Sequence, residues 1–144
     1  MSDKKIYSTE LGINLRKKTE AELFKWFLAS LLFGRPIQQE VAKSTYFEFK
    51  KENLLTSDKI LRAGWDKLVR VLDNGHYVRY DFSTATKLLE ICKALKREYG
   101  NLTKLIKLSK NTSNLSRKLQ EFKGIGPTTA RIFIRDLKKF RIVK

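Results

Sequence analysis

The sequence predicts an all-α domain, and three observations carry that prediction. Only two prolines, Pro36 and Pro127, interrupt its 144 residues. Nearly every apolar residue falls at the three-to-four-residue spacing of a helix face. Strand alternation does not compete: Phe47-Glu48-Phe49 and Tyr80-Asp81-Phe82 alternate, but each is too short to define a half-buried strand. The length is that of one domain. A composition of 42% hydrophobic and 11% aromatic residues supports a packed core and excludes wholesale disorder.

The elements follow in order. A first helix is expected from Thr19 to Phe33, opened by the capping-box spacing of Thr19 and Glu22. Gly34-Arg35-Pro36 stops it, because proline disfavours helical geometry at the residue before it. A second helix runs from Ile37 to Lys51 on an inner stripe of Ile37, Val41, Ala42, Tyr46 and Phe49. Ser57-Asp58-Lys59-Ile60 opens a short helix to Gly64, and another runs from Trp65 to Leu72 before the turn signal Asp73-Asn74-Gly75. Ser83 or Thr84 is expected to cap a long helix through Tyr99, with Gly100 as a left-handed stop. Leu102, Leu105, Ile106 and Leu108 make a short helix, and residues 110–114 a polar turn. The last two helices are Leu115 to Phe122 and Pro127 to Lys139, with Pro127 at the first helical position, where a missing N–H costs nothing. Residues 1–18 read as an N-terminal extension. Trp26, Trp65 and Cys92 are assigned to the core.

Charge narrows the partners. The net charge is +16. From Lys93 onward there are 15 Lys and Arg against three acids, or +12; the first 92 residues carry 16 against 12, or +4. So strong a bias points to a polyanion, nucleic acid first. One cysteine excludes an intramolecular disulfide and any multi-cysteine zinc or iron–sulfur site made by this chain alone. The most apolar stretch, Leu23 to Phe33, contains Lys25 and falls well short of the roughly 20 apolar residues a membrane span needs. A soluble, intracellular protein is expected, with no membrane partner and no oligomeric state legible.

The densest signal is Leu119-Gln-Glu-Phe122-Lys123-Gly124-Ile125-Gly126-Pro127-Thr128-Thr129-Ala130. Gly124 and Gly126 permit backbone angles closed to other residues. Ile125 is expected to tuck between two helices, leaving the N–H groups of the turn and of the next helix facing outward as a cradle for a phosphate oxygen. Thr128 and Thr129 add donors, and Lys123, Arg131 and Arg135 add charge. Such contacts hold a nucleic-acid backbone without reading bases. The segment resembles the helix-hairpin-helix motif of DNA-binding proteins, here over residues 115–139.

Upstream, Leu28-Ala-Ser-Leu-Leu-Phe-Gly-Arg35 resembles the first core helix of the endonuclease III-like DNA glycosylases. Gly75-His76-Tyr77, the long helix to Tyr99 and the short helix after Gly100 follow in that family's order, and the hairpin comes last. The likeness spans roughly Glu20 to Leu137. It implies two helical subdomains flanking a cleft that takes a damaged base flipped from a duplex. It also implies base excision repair as the setting, and a monovalent cation on the hairpin's carbonyls as in some members. Arg35 matches the position whose side chain fills the vacated stack; its other reading is an exposed loop arginine. Bifunctional members carry a nucleophilic lysine where this chain has Thr128, and a hydroxyl cannot form a Schiff base. Monofunctional members use an aspartate beyond the hairpin; the one acid here after Thr128 is Asp136, too close to match. The family's iron–sulfur cysteines are missing too, so the chain reads either as a piece of a longer protein or as a shortened relative, with no catalytic residue assigned and no cofactor beyond that cation.

The remaining candidates are isolated. His76 is the sole histidine and reads as an exposed loop residue. Asp73, Asp81 and Glu90 have no spacing that forces them together. Tyr77, Tyr80 and Phe82 beside Arg79 read as packing, or else as a stacking wall for an extruded base. The expectation is a DNA-binding protein preferring damaged or distorted duplex. The alternatives are a glycosylase without lyase activity that repurposes Asp81 or Asp136, and a helical protein-interaction domain.

Overall fold

The computed structural model describes residues 5–144 and builds eight α-helices and no strand among them. They are α1 (Glu20–Phe33), α2 (Gln39–Lys51), α3 (Ser57–Ala63), α4 (Trp65–Asn74), α5 (Asp81–Glu98), α6 (Leu102–Lys107), α7 (Thr112–Gln120) and α8 (Pro127–Lys139). The all-α class is therefore as the periodicity predicts. No helix among the described residues is long and apolar enough to cross a membrane.

α1 is apolar nearly all round, and a helix of that kind must be buried. Trp26, Phe27, Leu28 and Leu32 are fully enclosed, with α2, α6 and α8 packed around them. Trp26 Nε1 donates to the Phe133 carbonyl of α8 (3.2 Å). Phe27 meets the Phe133 ring edge-on at 5.4 Å. α5 packs on α3 and α4, and α7 on α8. Cys92 is enclosed on α5, and burial pushes its thiol up to about 12, which leaves it unreactive.

Side-chain capping explains four of the eight helix starts. Thr19 Oγ1 accepts from Glu22 N–H (3.3 Å), but the reciprocal half of a capping box is not made. Glu22 instead accepts from Asn14 N–H (2.7 Å) and Lys25 Nζ (2.8 Å). Thr56, Asn101 and Asn111 cap α3, α6 and α7 in the same way. α6 receives a second acceptor from far away in the chain: Glu20 takes the N–H groups of Leu102 and Thr103 and the Thr103 hydroxyl. Gly100 ends α5 at φ +90°, the left-handed stop expected of it.

Several expectations are corrected. α5 opens at Asp81, not at a Ser83 or Thr84 cap, because a 3-10 turn (Val78–Tyr80) runs straight into it and Asp81 Oδ1 accepts from Phe82 N–H (2.6 Å). α7 opens at Thr112 because Asn111 is its cap, so the polar turn at 110–114 is shorter than expected. It ends at Gln120, since Phe122 N–H closes a turn on Leu119 O (3.1 Å). α2 begins at Gln39; Ile37 N–H is held in a tight turn by Arg35 O (2.7 Å). Trp65 is not in the core: it is 38% exposed at the start of α4.

The N-terminal segment is integral to the fold. Of the expected extension 1–18, residues 1–4 lie outside the described residues; Ile6, Leu11, Ile13 and Leu15 are buried. Fully buried Asp136 of α8 holds the segment in place. It accepts from Ser8 N–H (2.8 Å) and from Arg135 Nε (2.8 Å), while Arg135 also donates to Ile6 O (2.9 Å). Asp136→Ala would strand the buried Ser8 N–H and lose a charge-assisted bond, so it should cost about 2–3 kcal/mol of stability in urea unfolding. A loss below ~0.5 kcal/mol would show that the segment does not depend on this carboxylate.

Candidate nucleic-acid interface

α7, the turn at residues 121–126 and α8 form a helical hairpin. Ile125 is buried between the two helices, as expected, and its N–H donates to Phe122 O (3.1 Å). The two glycines differ in what they do. Gly124 sits at φ +102°, closed to side chains, and a Cβ there would stand 3.0 Å from Cγ and Cδ of Lys87. Gly126 does not use glycine's special angles. It is extended (φ −101°, ψ −176°), and a Cβ on it would meet nothing within 4 Å. Neither strain nor packing requires a glycine there.

Gly126 is the N-cap of α8, and no side chain caps that helix. Pro127 at the first position has no N–H to satisfy. The N–H groups of Gly126, Thr128 and Thr129 have no protein acceptor among the described residues. Thr128 is exposed. Thr129 is buried, with its hydroxyl turned against Gly34 at the end of α1, where a Cβ on Gly34 would collide with Oγ1 at 2.0 Å. Thr129 therefore uses its side chain for packing. Lys123 and Arg131 are exposed and have no carboxylate partner among the described residues. Arg135 does not join them: it is committed to Asp136 and Ile6 O, with its guanidinium over the Tyr7 ring at 4.2 Å.

Behind the turn lies a cleft of about 410 Å³ between the loop after α1, α5 and the hairpin. Arg35 and Lys87 line it, and no carboxylate does. Arg35 is half-buried and folded back: its guanidinium lies over the Tyr80 ring at 4.6 Å and donates to Ser83 Oγ. Burial, and secondarily the charge of Arg35, lowers the Lys87 pKa.

The other candidates fall elsewhere. Tyr77 is enclosed and donates to Leu32 O (2.5 Å), a packing role. Phe82 is 60% exposed, its ring 5.2 Å from that of Trp65, whose Nε1 donates to Thr86 Oγ1 (3.0 Å). This exposed aromatic pair was missed because Trp65 opens an amphipathic helix and scores as core by pattern alone. His76 is exposed at φ +68° in the turn after α4. Asp73 and Asp81, expected to be separate, come together across that turn; the nearby Asp81 carboxylate first, and burial with it, raise the Asp73 pKa. Asp136 is consumed by the N-terminal segment, and neither Asp81 nor Asp136 lines the cleft. No cluster of three or more His, Cys, Asp or Glu side chains suited to a metal occurs among the described residues.

The chain matches no protein-family model, no curated protein and no solved structure at a significant level.

Two outcomes test this geometry. Gly124→Ala should lose about 1–2 kcal/mol of stability by chemical unfolding, from its left-handed backbone and its contact with Lys87. Equal stability of variant and parent would show that the turn is not held at that angle. For Asp73 the sign runs the other way from a salt-bridged acid. A carboxyl whose folded pKa is raised binds its proton more tightly when folded, so its ionisation costs stability as pH rises through the raised value. Asp73→Asn should therefore raise Tm at about pH 7 and leave it little changed at about pH 3, where both states of the parent are largely protonated at this site. The same Tm change at both pH values would refute the pairing.

Proposed function

We propose that this chain binds nucleic acid, holding the phosphate backbone of duplex DNA with the hairpin formed by α7, the turn and α8. The observation that carries the reading is the open N-terminus of α8. Gly126, a glycine that the fold does not need, leaves the N–H groups of Gly126, Thr128 and Thr129 without an acceptor among the described residues. Exposed Lys123 and Arg131 flank them with uncompensated charge. Helix-end donors plus a positive dipole are suited to one phosphate oxygen, and the two cations to its neighbours. Gly124 and Ile125 set the shape of the turn, Thr129 locks α8 on α1, and Arg35 stands at the cleft behind.

The reading includes the setting implied by the resemblance: an endonuclease III-like architecture of base excision repair, with a preference for damaged or distorted duplex. Arg35, folded on Tyr80 in the absence of DNA, would swing out to serve as a wedge. A monovalent cation on the turn's carbonyls belongs to the same proposal. Phe122 O and Gly126 O already accept from Ile125 and Ala130 N–H, leaving one lone pair on each.

Fluorescence anisotropy with an undamaged duplex and one carrying a stable abasic analogue tests this directly. Three or more neutralised phosphates should weaken binding by roughly ten- to a hundredfold between about 50 and 200 mM salt. Tighter binding to the abasic duplex would support the repair setting. Gly126→Asp gives the sharper check, because an N-cap carboxylate bonds the same N–H groups that a phosphate needs. It should hold or raise Tm and weaken DNA binding about tenfold or more. Salt-independent or negligible binding by the parent protein would overturn the proposal in favour of a protein-interaction domain.

A further inference from the structure

The outer side of the hairpin turn suits the backbone of an uninterrupted duplex, which is convex. The cleft behind the turn does not, because it is concave and walled on three sides. Its chemistry is nonetheless that of an anion site. Lys87 reaches it from α5 with no carboxylate partner among the described residues, and its stem crosses Gly124. Arg35 forms a second cationic wall, and its buried Nε makes no hydrogen bond. The first turn of α8 contributes Thr128 and Thr129 at the rim. An independent observation comes from Thr84. It is 4% exposed, lines the cleft, and its Oγ1 has no hydrogen-bond partner at all, not even the carbonyl one turn back along its own helix. A buried hydroxyl is rarely left unsatisfied without a reason, since the stranded group costs stability.

We propose that this cleft binds a phosphomonoester, the terminal phosphate of a nucleic-acid strand. This rests on the nucleic-acid reading above and specifies what its inner face recognises. Lys87 and Arg35 together are matched to a charge near −2, which a terminal phosphate carries and an internal diester does not. Lys87, Arg35 and the Thr84 hydroxyl would meet the terminal oxygens, while the α8 N–H groups serve the outer face. The apolar walls of Leu88 and Ile91 leave space for the attached sugar, and about 410 Å³ lies at the small end of ligand sites.

The experiment uses the full chain and short duplexes identical except at their ends: 5′-phosphate, 3′-phosphate or hydroxyl at both. Anisotropy should show a phosphorylated end bound about tenfold more tightly than the hydroxyl duplex, and the two phosphorylated duplexes say which end is read. Lys87→Gln and Thr84→Val should each bring the phosphorylated duplex down to the level of the hydroxyl one. Thr84→Ser, which keeps the hydroxyl, should preserve the ratio. Arg131→Ala should weaken both duplexes and also keep the ratio, because it acts on the outer face. Thermal unfolding of each variant separates misfolding from lost recognition.

Equal affinity for all ends, or a preference that survives Lys87→Gln, overturns the inference while leaving backbone binding intact. Salt-independent, negligible binding of every duplex overturns the backbone reading instead. Stabilisation by free deoxyadenosine monophosphate in that case, lost in Lys87→Gln, would assign the cleft to a mononucleotide and refute the strand-end claim.

Discussion

The docking of α8 against α1 sets the position of everything at the candidate interface. It rests on three contacts of different kinds. Trp26 Nε1 bonds the Phe133 carbonyl, Phe27 packs edge-on against the Phe133 ring, and Thr129 sits in the space that a side chain on Gly34 would fill. The last is the most restrictive, because a Cβ cannot be accommodated without moving a helix end. With α8 fixed there, the turn before it must pass Lys87 on α5, and the cleft is the gap that remains. The open helix end, the cations beside it and the cleft behind it are thus consequences of one packing interface rather than separate features.

Four acids of this chain satisfy backbone donors of its own fold. Glu20 satisfies the start of α6, Glu22 holds Asn14, Asp136 anchors the N-terminal segment, and Glu10 accepts from Tyr7 N–H. Each satisfies a backbone donor, and Glu22 also pairs with Lys25. On the hairpin Arg117, Lys118 and Arg135 find partners within the chain, whereas Lys123 and Arg131 have no carboxylate partner among the described residues. With 31 Lys and Arg against 15 acids, more than half of the positive charges have no acid to match them.

What the sequence made legible is what depends on local chemistry. The limits of α8 follow from Pro127 and from the apolar spacing of Ala130, Phe133, Ile134 and Leu137, and they are found where expected. Gly100 behaves as the stop it promised to be. The buried Ile125 and Cys92 follow from pattern. Expectations failed where a distant residue decided the outcome. Glu22 had the right spacing for a reciprocal cap and was taken by Asn14. Arg135 had the right spacing to reach the turn and was taken by Asp136. Trp65 looked apolar enough to bury, but it stays at the surface, held there by Thr86 and Phe82. Asp73 and Asp81 are eight positions apart across a turn whose shape, with His76 at positive φ, no spacing rule anticipates.

The two glycines of the hairpin show how a motif can be read more finely from structure than from sequence. In the sequence they are equivalent, each a residue that relaxes the backbone. In the structure only Gly124 needs that freedom. Gly126 occupies ordinary extended backbone with open space around it, at the cap position where serine, threonine, aspartate or asparagine would bond the free N–H groups and add to helix stability. Four helices of this fold use such a side chain: α1, α3, α6 and α7. A bare cap on α8 forgoes that stabilisation, and what it gains is unobstructed approach to two helix N–H groups beside Lys123 and Arg131. α2, α4 and α5 also start without a side-chain cap, so a bare cap alone does not set α8 apart. What does is its setting: Lys123 and Arg131 stand beside it, exposed and without a carboxylate partner among the described residues.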